Sequence, residues 1–179
     1  MINKLNSKIV YKNKWISVTE DEVEFANGHR GIYSVVHKPA CGLAIPYQNG
    51  KFTLVRLYRY PTQRFGWEFP MGAHEEDPQM EPEVIVKAEL KEETGLVAGK
   101  CEFLGKLYFA NGFATQPFYS YLMTHLTQQS NELEITEELE VKEFSFKEIE
   151  GLIDSGEIVD GPTVSALYLL KMKKPDLFR

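Results

Sequence analysis

Three glutamates within five residues, Glu89, Glu92 and Glu93 of "KAELKEETGL", carry the clearest chemical signal in this chain. Like charges three or four positions apart share one helical face and repel each other. An acidic run of this kind usually marks a solvated surface. The neighbouring residues argue otherwise. At about 100° per residue, and with Glu83 set at zero, the three glutamates span an arc from about 180° to about 280°. Ile85 falls inside that arc, Val86 and Leu90 lie just beyond one edge, and Val84 and Ala88 lie beyond the other. Lys87, Lys91 and Thr94 occupy the opposite side. The acids therefore project where the apolar residues project, toward the protein body. Unpaired charge is very costly to bury, and the nearby lysines point away. A divalent cation is the natural counter-charge. Carboxylate oxygens at i, i+3 and i+4 suit Mg²⁺ or Mn²⁺.

The elements that must hold this helix are readable from pattern and punctuation. Pro82–Thr94 predicts a helix with Pro82 near its first position and Gly95 as its C-cap. Before it, "WISVTEDEVEF" and "GIYSVVHK" alternate as strands around Asn27-Gly28, and "GLAIPYQ" and "KFTLVRLYRY" form a second hairpin around Asn49-Gly50. After it, "CEFLGKLYFA", "QPFYSYLMTHL" and "LEVKEFSF" read as strands. A short helix at 146–155 and a closing helix behind Pro162 follow. Strands on both sides of a central helix predict a mixed sheet covered by helices.

The segment leading into the helix, "GWEFPMGAHEEDPQMEPEV", places Gly72 behind Pro70 and Met71 in a tight turn, where a backbone carbonyl can face an ion. A strand, this glycine turn, an acidic loop and the glutamate helix together resemble the Nudix hydrolases. The signature of that family is Gly, five residues, Glu, seven residues, then Arg-Glu-apolar-x-Glu-Glu-x-Gly-apolar. Glu89, Leu90, Glu92, Glu93, Gly95 and Leu96 meet its second half. Ala88 stands where the family has Arg, the spacing from Gly72 is longer than the pattern, and Met80 falls where the first Glu belongs, with Glu76 and Glu81 as substitutes. "LVRLYRYP", "WEFPMG" with Glu68, and "SGEIVDGPTVSALYLL" are similar to the ADP-ribose pyrophosphatase branch, although Leu57 replaces a Gln of that branch.

The resemblance implies an α/β (α+β) Nudix fold, a mixed sheet sandwiched between helices, with residues 1–40 as a β-hairpin extension and 41–179 as the hydrolase domain. It implies metal ligation by Glu89, Glu92, Glu93 and the Met71 carbonyl. For a general base it points to the acidic loop 131–141, with Glu137 first, Glu134 second, and Glu92 next. Arg59 is a clamp for phosphate or the terminal ribose, since a guanidinium fork matches such oxygens. Arg30 is a weaker second clamp or a solvated turn residue. Glu68 belongs to the substrate side, and Trp67 either stacks on a base or fills the core. The activity implied is hydrolysis of ADP-ribose to AMP and ribose 5-phosphate with Mg²⁺ or Mn²⁺. Another nucleotide sugar such as GDP-mannose is the alternative substrate, and a nucleotide-metabolite-binding module without catalysis is the alternative class. The branch also implies a homodimer that exchanges its N-terminal strands.

Composition limits the partners. The net charge is −6, which disfavours a nucleic-acid backbone. No apolar run approaches the ~20 residues that cross a bilayer. Cys41 and Cys101 form neither a metal-ligand spacing nor a disulfide framework, which predicts a reducing cytoplasm.

Overall fold

In a computed structural model, residues 1–74, 77, 80–129 and 139–178 are described. Three antiparallel strands come first: β1 (Asn3–Lys12), β2 (Ser17–Glu24) and β3 (Arg30–His37), in the order β1-β2-β3. The β2–β3 turn is not the two-residue type that Asn27-Gly28 predicts. The Phe25 carbonyl accepts from the Gly28 N–H, and only Gly28 takes a positive φ, 80°. This is a type I turn closed by a left-handed glycine, the usual three-residue hairpin. β1 is a strand that the sequence does not announce. All ten of its residues are exposed, so it carries no buried face to impose alternation.

β4 (Cys41–Gln48) and β5 (Lys51–Arg59) follow, joined by Asn49 and Gly50 with φ of 52° and 80°, the two-residue turn read from their types. Next are β6 (Arg64–Glu68), the two-residue β7 (Met71–Gly72), α1 (Pro82–Thr94), β8 (Leu96–Tyr108), β9 (Pro117–Gln128), β10 (Glu140–Ser145), α2 (Phe146–Asp154) and α3 (Gly161–Lys173). The larger sheet runs β10-β5-β4-β9-β8, with β6 on β5 and β7 on β4. The β4–β9 pair is parallel and the other pairs are antiparallel. β4 is therefore central, and six consecutive residues from Cys41 to Pro46 are buried, as expected for a strand covered on both faces.

One layer of core joins Ala44, Tyr121 and Met123 of the sheet to Val86 and Leu90 of α1. The other joins Leu43, Ile45, Phe118 and Leu122 to Ile149 of α2 and to Ala166, Leu167 and Leu170 of α3. The mixed sheet is sandwiched between helices. The N-terminal extension is a three-stranded sheet rather than a hairpin alone, tied to the larger body where Val36 exchanges backbone bonds with Phe113 and Thr115. Among the described residues no helix is long and apolar enough to cross a membrane.

Candidate active site

α1 is laid directly onto the sheet by two glycines that pair across β4 and β7, Gly42 and Gly72. A methyl group on Gly42 would lie 2.8 Å from the Val86 Cβ, and one on Gly72 would lie 2.2 Å from the Glu89 carboxylate. Gly72 thus makes the space in which that carboxylate sits. One turn further along the helix, Glu93 is buried, with 7% of its surface exposed. Glu89 is half-buried and Glu92 is exposed.

The inward arc is therefore narrower than the sequence reading. It centres on Val86, Glu93 and Leu90 and includes Ile85, while Glu92 lies outside with Ala88 and Val84. Thr94, assigned to the solvent side by angle, is buried because the helix ends there against the sheet. Cys41, at the start of β4, feels the same acids. Burial, and then the charge of Glu89, push its thiol well above the usual range, which leaves it inert as a nucleophile.

Among the described residues no three His, Cys, Asp or Glu side chains are already gathered as a metal cage. The donor set is nonetheless that of a hard cation. It comprises two carboxylates on one helix face, one of them set against Gly72, and oxygen donors of this kind suit Mg²⁺ or Mn²⁺. The space that a Cβ on Gly72 would fill is what admits the Glu89 carboxylate.

Beside these acids opens a cleft of about 460 Å³, within the usual size of a small-molecule site. Arg59, at the end of β5, donates from Nε to Oε1 of Glu68 on β6 at 2.8 Å. Glu68 is only 4% exposed. Burial holds its carboxyl above the usual range, against the pull of Arg59. Burial also works against the Arg59 charge, yet the bond to Glu68, with the further fields of Glu93 and Asp160, keeps the guanidinium firmly protonated. The side chain remains 46% exposed, so its other N–H groups face the cleft.

Trp67 lines this cleft but is buried, packing edge-on to Phe144 at 4.8 Å, so its ring serves mainly as core. Arg30 is not brought to the cleft. It pairs with Glu24 at 3.4 Å on the exposed N-terminal sheet. Phe113 is exposed in the loop before β9, and Phe65 is exposed beside Tyr58 and Arg56. Glu81 stands at the N-cap of α1, exposed. Glu76, Glu134 and Glu137 lie outside the described residues.

The structure adds cleft residues that the sequence reading passed over. Asp160 caps α3, accepting from the Thr163 N–H at 2.8 Å, and its Asp-Gly-Pro-Thr run is a legible helix start. Lys38 and Gln116 also line the cleft. They sit in connecting segments where side-chain direction has no periodic signature.

Comparison with known proteins gives the family and the fold. The profile of the NUDIX domain matches residues 36–167, and that of the nucleoside diphosphate sugar hydrolase N-terminal domain matches residues 2–36. The ADP-ribose pyrophosphatase of Bacillus subtilis (strain 168) is 30% identical over 92% of this chain and 90% of its own length. A GDP-mannose pyrophosphatase of Escherichia coli O1:K1 / APEC is 35% identical over 51% of this chain and 50% of its own. A crystal structure titled as an ADP compounds hydrolase superposes with a TM-score of 0.86 at 24% identity, covering 98% of this chain and 95% of that one, and shares the fold.

Proposed function

Because this chain belongs to the NUDIX family of pyrophosphohydrolases, we propose that it cleaves the pyrophosphate bond of ADP-ribose, giving AMP and ribose 5-phosphate. The observation that carries the site is the Glu89 carboxylate set against Gly72, one helical turn from buried Glu93. The similarity to the B. subtilis enzyme supports the substrate, and it extends over nearly the whole chain.

Members of this family generally need a divalent metal. In this chain Glu89, Glu93 and the Met71 carbonyl would hold Mg²⁺ or Mn²⁺, with Glu92 at the rim. When bound, such an ion neutralises phosphate charge and favours the attacking water. Arg59, fixed on one side by Glu68, presents its free N–H groups to phosphate or ribose oxygens. Water attacks one phosphorus, the bridging P–O bond breaks, and the departing phosphate keeps the bridging oxygen. The water proton needs an acceptor, and Glu137 is assigned that role ahead of Glu134. Glu137→Gln is then expected to lower kcat while leaving KM and metal affinity in place, since the contact is made mainly in the transition state. Steady-state kinetics on both variants checks this, and unchanged kcat in each would move the base elsewhere.

A panel of nucleotide sugars, scored by turnover with and without Mg²⁺, tests the function. ADP-ribose should lead. Preference for GDP-mannose would favour the second reading, which the matching half of the GDP-mannose enzyme supports. Binding without turnover of any compound would favour a sensing module, for which Ala88 and Met80 speak.

The same proposal includes a cytoplasmic homodimer built through residues 1–40, with 41–179 as the catalytic domain. Leu5, Ile9, Val10, Ile32 and Tyr33 of the N-terminal sheet are exposed, and a second copy is an economical cover for them. Light scattering at micromolar concentration should give twice the chain mass. A fully active monomer would count against a shared site.

A further inference from the structure

The third residue of α3, Thr163, is fully buried and bonds in two directions. Its backbone N–H donates to Asp160 Oδ2 at 2.8 Å, and its hydroxyl oxygen accepts from the backbone N–H of Phe69 at 3.0 Å. Phe69 directly follows Glu68, the residue that receives Arg59. The pairing of β6 with β5 ends at Glu68, opposite Val55. Beyond it the Phe69 N–H has Thr163 as its acceptor, and the Pro70 carbonyl accepts from Ala44. The end of β6 is thus held from α3 at the residue where the strand ladder stops. Asp160 and Gly161, which open α3, line the same cleft as Arg59 and Glu68.

We propose that Thr163 is a positioning residue for the Arg59–Glu68 clamp, pinning the strand end so that Glu68 holds Arg59 toward the substrate. The proposal rests on reading the cleft as the nucleotide-sugar site. Valine has the shape of threonine without the acceptor, so Thr163→Val leaves the core filled and the Phe69 N–H buried and unpaired. That N–H is costly to leave unsatisfied. The strand end relaxes to satisfy it, and Glu68 moves with it. Arg59 then loses its fixed aim without losing its charge. Such a change weakens ground-state binding rather than the chemical step.

The test compares Thr163→Val and Thr163→Ser with the unaltered protein in two ways. The first is kinetics with ADP-ribose. KM should rise about tenfold in the valine variant, kcat should stay within about twofold, and serine should restore KM. The second is the Arg59 Nε–H signal in a proton–nitrogen correlation spectrum, which the bond to Glu68 protects from exchange. It should weaken in the valine variant and return with serine. An unchanged KM and Arg59 signal in Thr163→Val would overturn the proposal, as would a lower melting temperature with neither readout moved. If the valine variant does not fold, Thr163→Ala, which also lacks the acceptor for the Phe69 N–H, must weaken the same Arg59 signal. A wild-type protein that turns over no nucleotide sugar would defeat the functional reading instead, and the Arg59 signal alone would then decide the role of Thr163.

Discussion

Glu89→Gln and Glu93→Gln are each expected to lower turnover by at least about 100-fold, because each removes a charged oxygen donor from a site whose chemistry depends on a cation. The fold should survive. Glutamine fits the space that each glutamate fills, the half-buried Glu89 with its carboxylate at Gly72 and the buried Glu93. Without metal, the melting temperature should hold or rise, since neutralising one of two close carboxylates relieves repulsion and desolvation. Added Mg²⁺ should stabilise the wild-type protein and not the variants, because a ligand that binds only the folded state raises its stability. Circular dichroism melts with and without Mg²⁺, alongside steady-state rates, check both halves. Glu92→Gln should do less, since Glu92 sits at the exposed rim. Near-normal activity in the Glu89 and Glu93 variants would remove both from the site.

Gly72→Ala should be as damaging, again at least about 100-fold in turnover, for a steric reason rather than an electrostatic one. The new methyl group would lie 2.2 Å from the Glu89 carboxylate. Gly72 does not adopt a positive φ, so alanine suits the backbone there. The group it displaces is the far end of a flexible side chain, which swings away at little cost to the fold. Glu89 is then present but misplaced. Gly42→Ala offers the contrast: its methyl meets the Val86 Cβ at 2.8 Å and the Val86 backbone nitrogen at 2.9 Å, neither of which can step aside. That variant should lose stability as well as activity. Thermal melts and metal titrations distinguish the two. Gly72→Ala with full activity would mean that the Glu89 carboxylate need not occupy its place against the turn.

The helix was the most legible part of the chain, and for local reasons. Pro82 and Gly95 mark the ends of α1 in the sequence, and the structure ends the helix at the same residues, with Gly95 at a φ of 70°. The Asn49-Gly50 turn was readable likewise, because few residues take its backbone angles. What failed was any inference needing to know what the helix packs on. Angular position alone put Glu92 with Glu93. Contact with β4 and β7 separates them, and that contact is set by Gly42 and Gly72 from two other strands. The Arg59–Glu68 bond was half-visible, since both residues stood out in the sequence but nothing there joined them. Arg30 stood out for its type and proved to be paired away from the cleft. Thr163 left no trace, because its partner is 94 residues earlier.

That separation also fixes an order in time. At roughly 5–20 residues per second of synthesis, a chain that has just completed Phe69 waits on the order of ten seconds for its partner on α3 to be made. During that interval Arg59, Glu68 and then the whole acidic helix are available, but the bond that holds the end of β6 is not. The parallel partner of β4 is also delayed, since β9 lies beyond α1. Contacts so distant along the chain form slowly even in the finished protein. A nascent chain stalled before Gly161 carries nearly every charged group of the site and still cannot set the clamp, so competence arrives with the last helix rather than with the residues that do the chemistry.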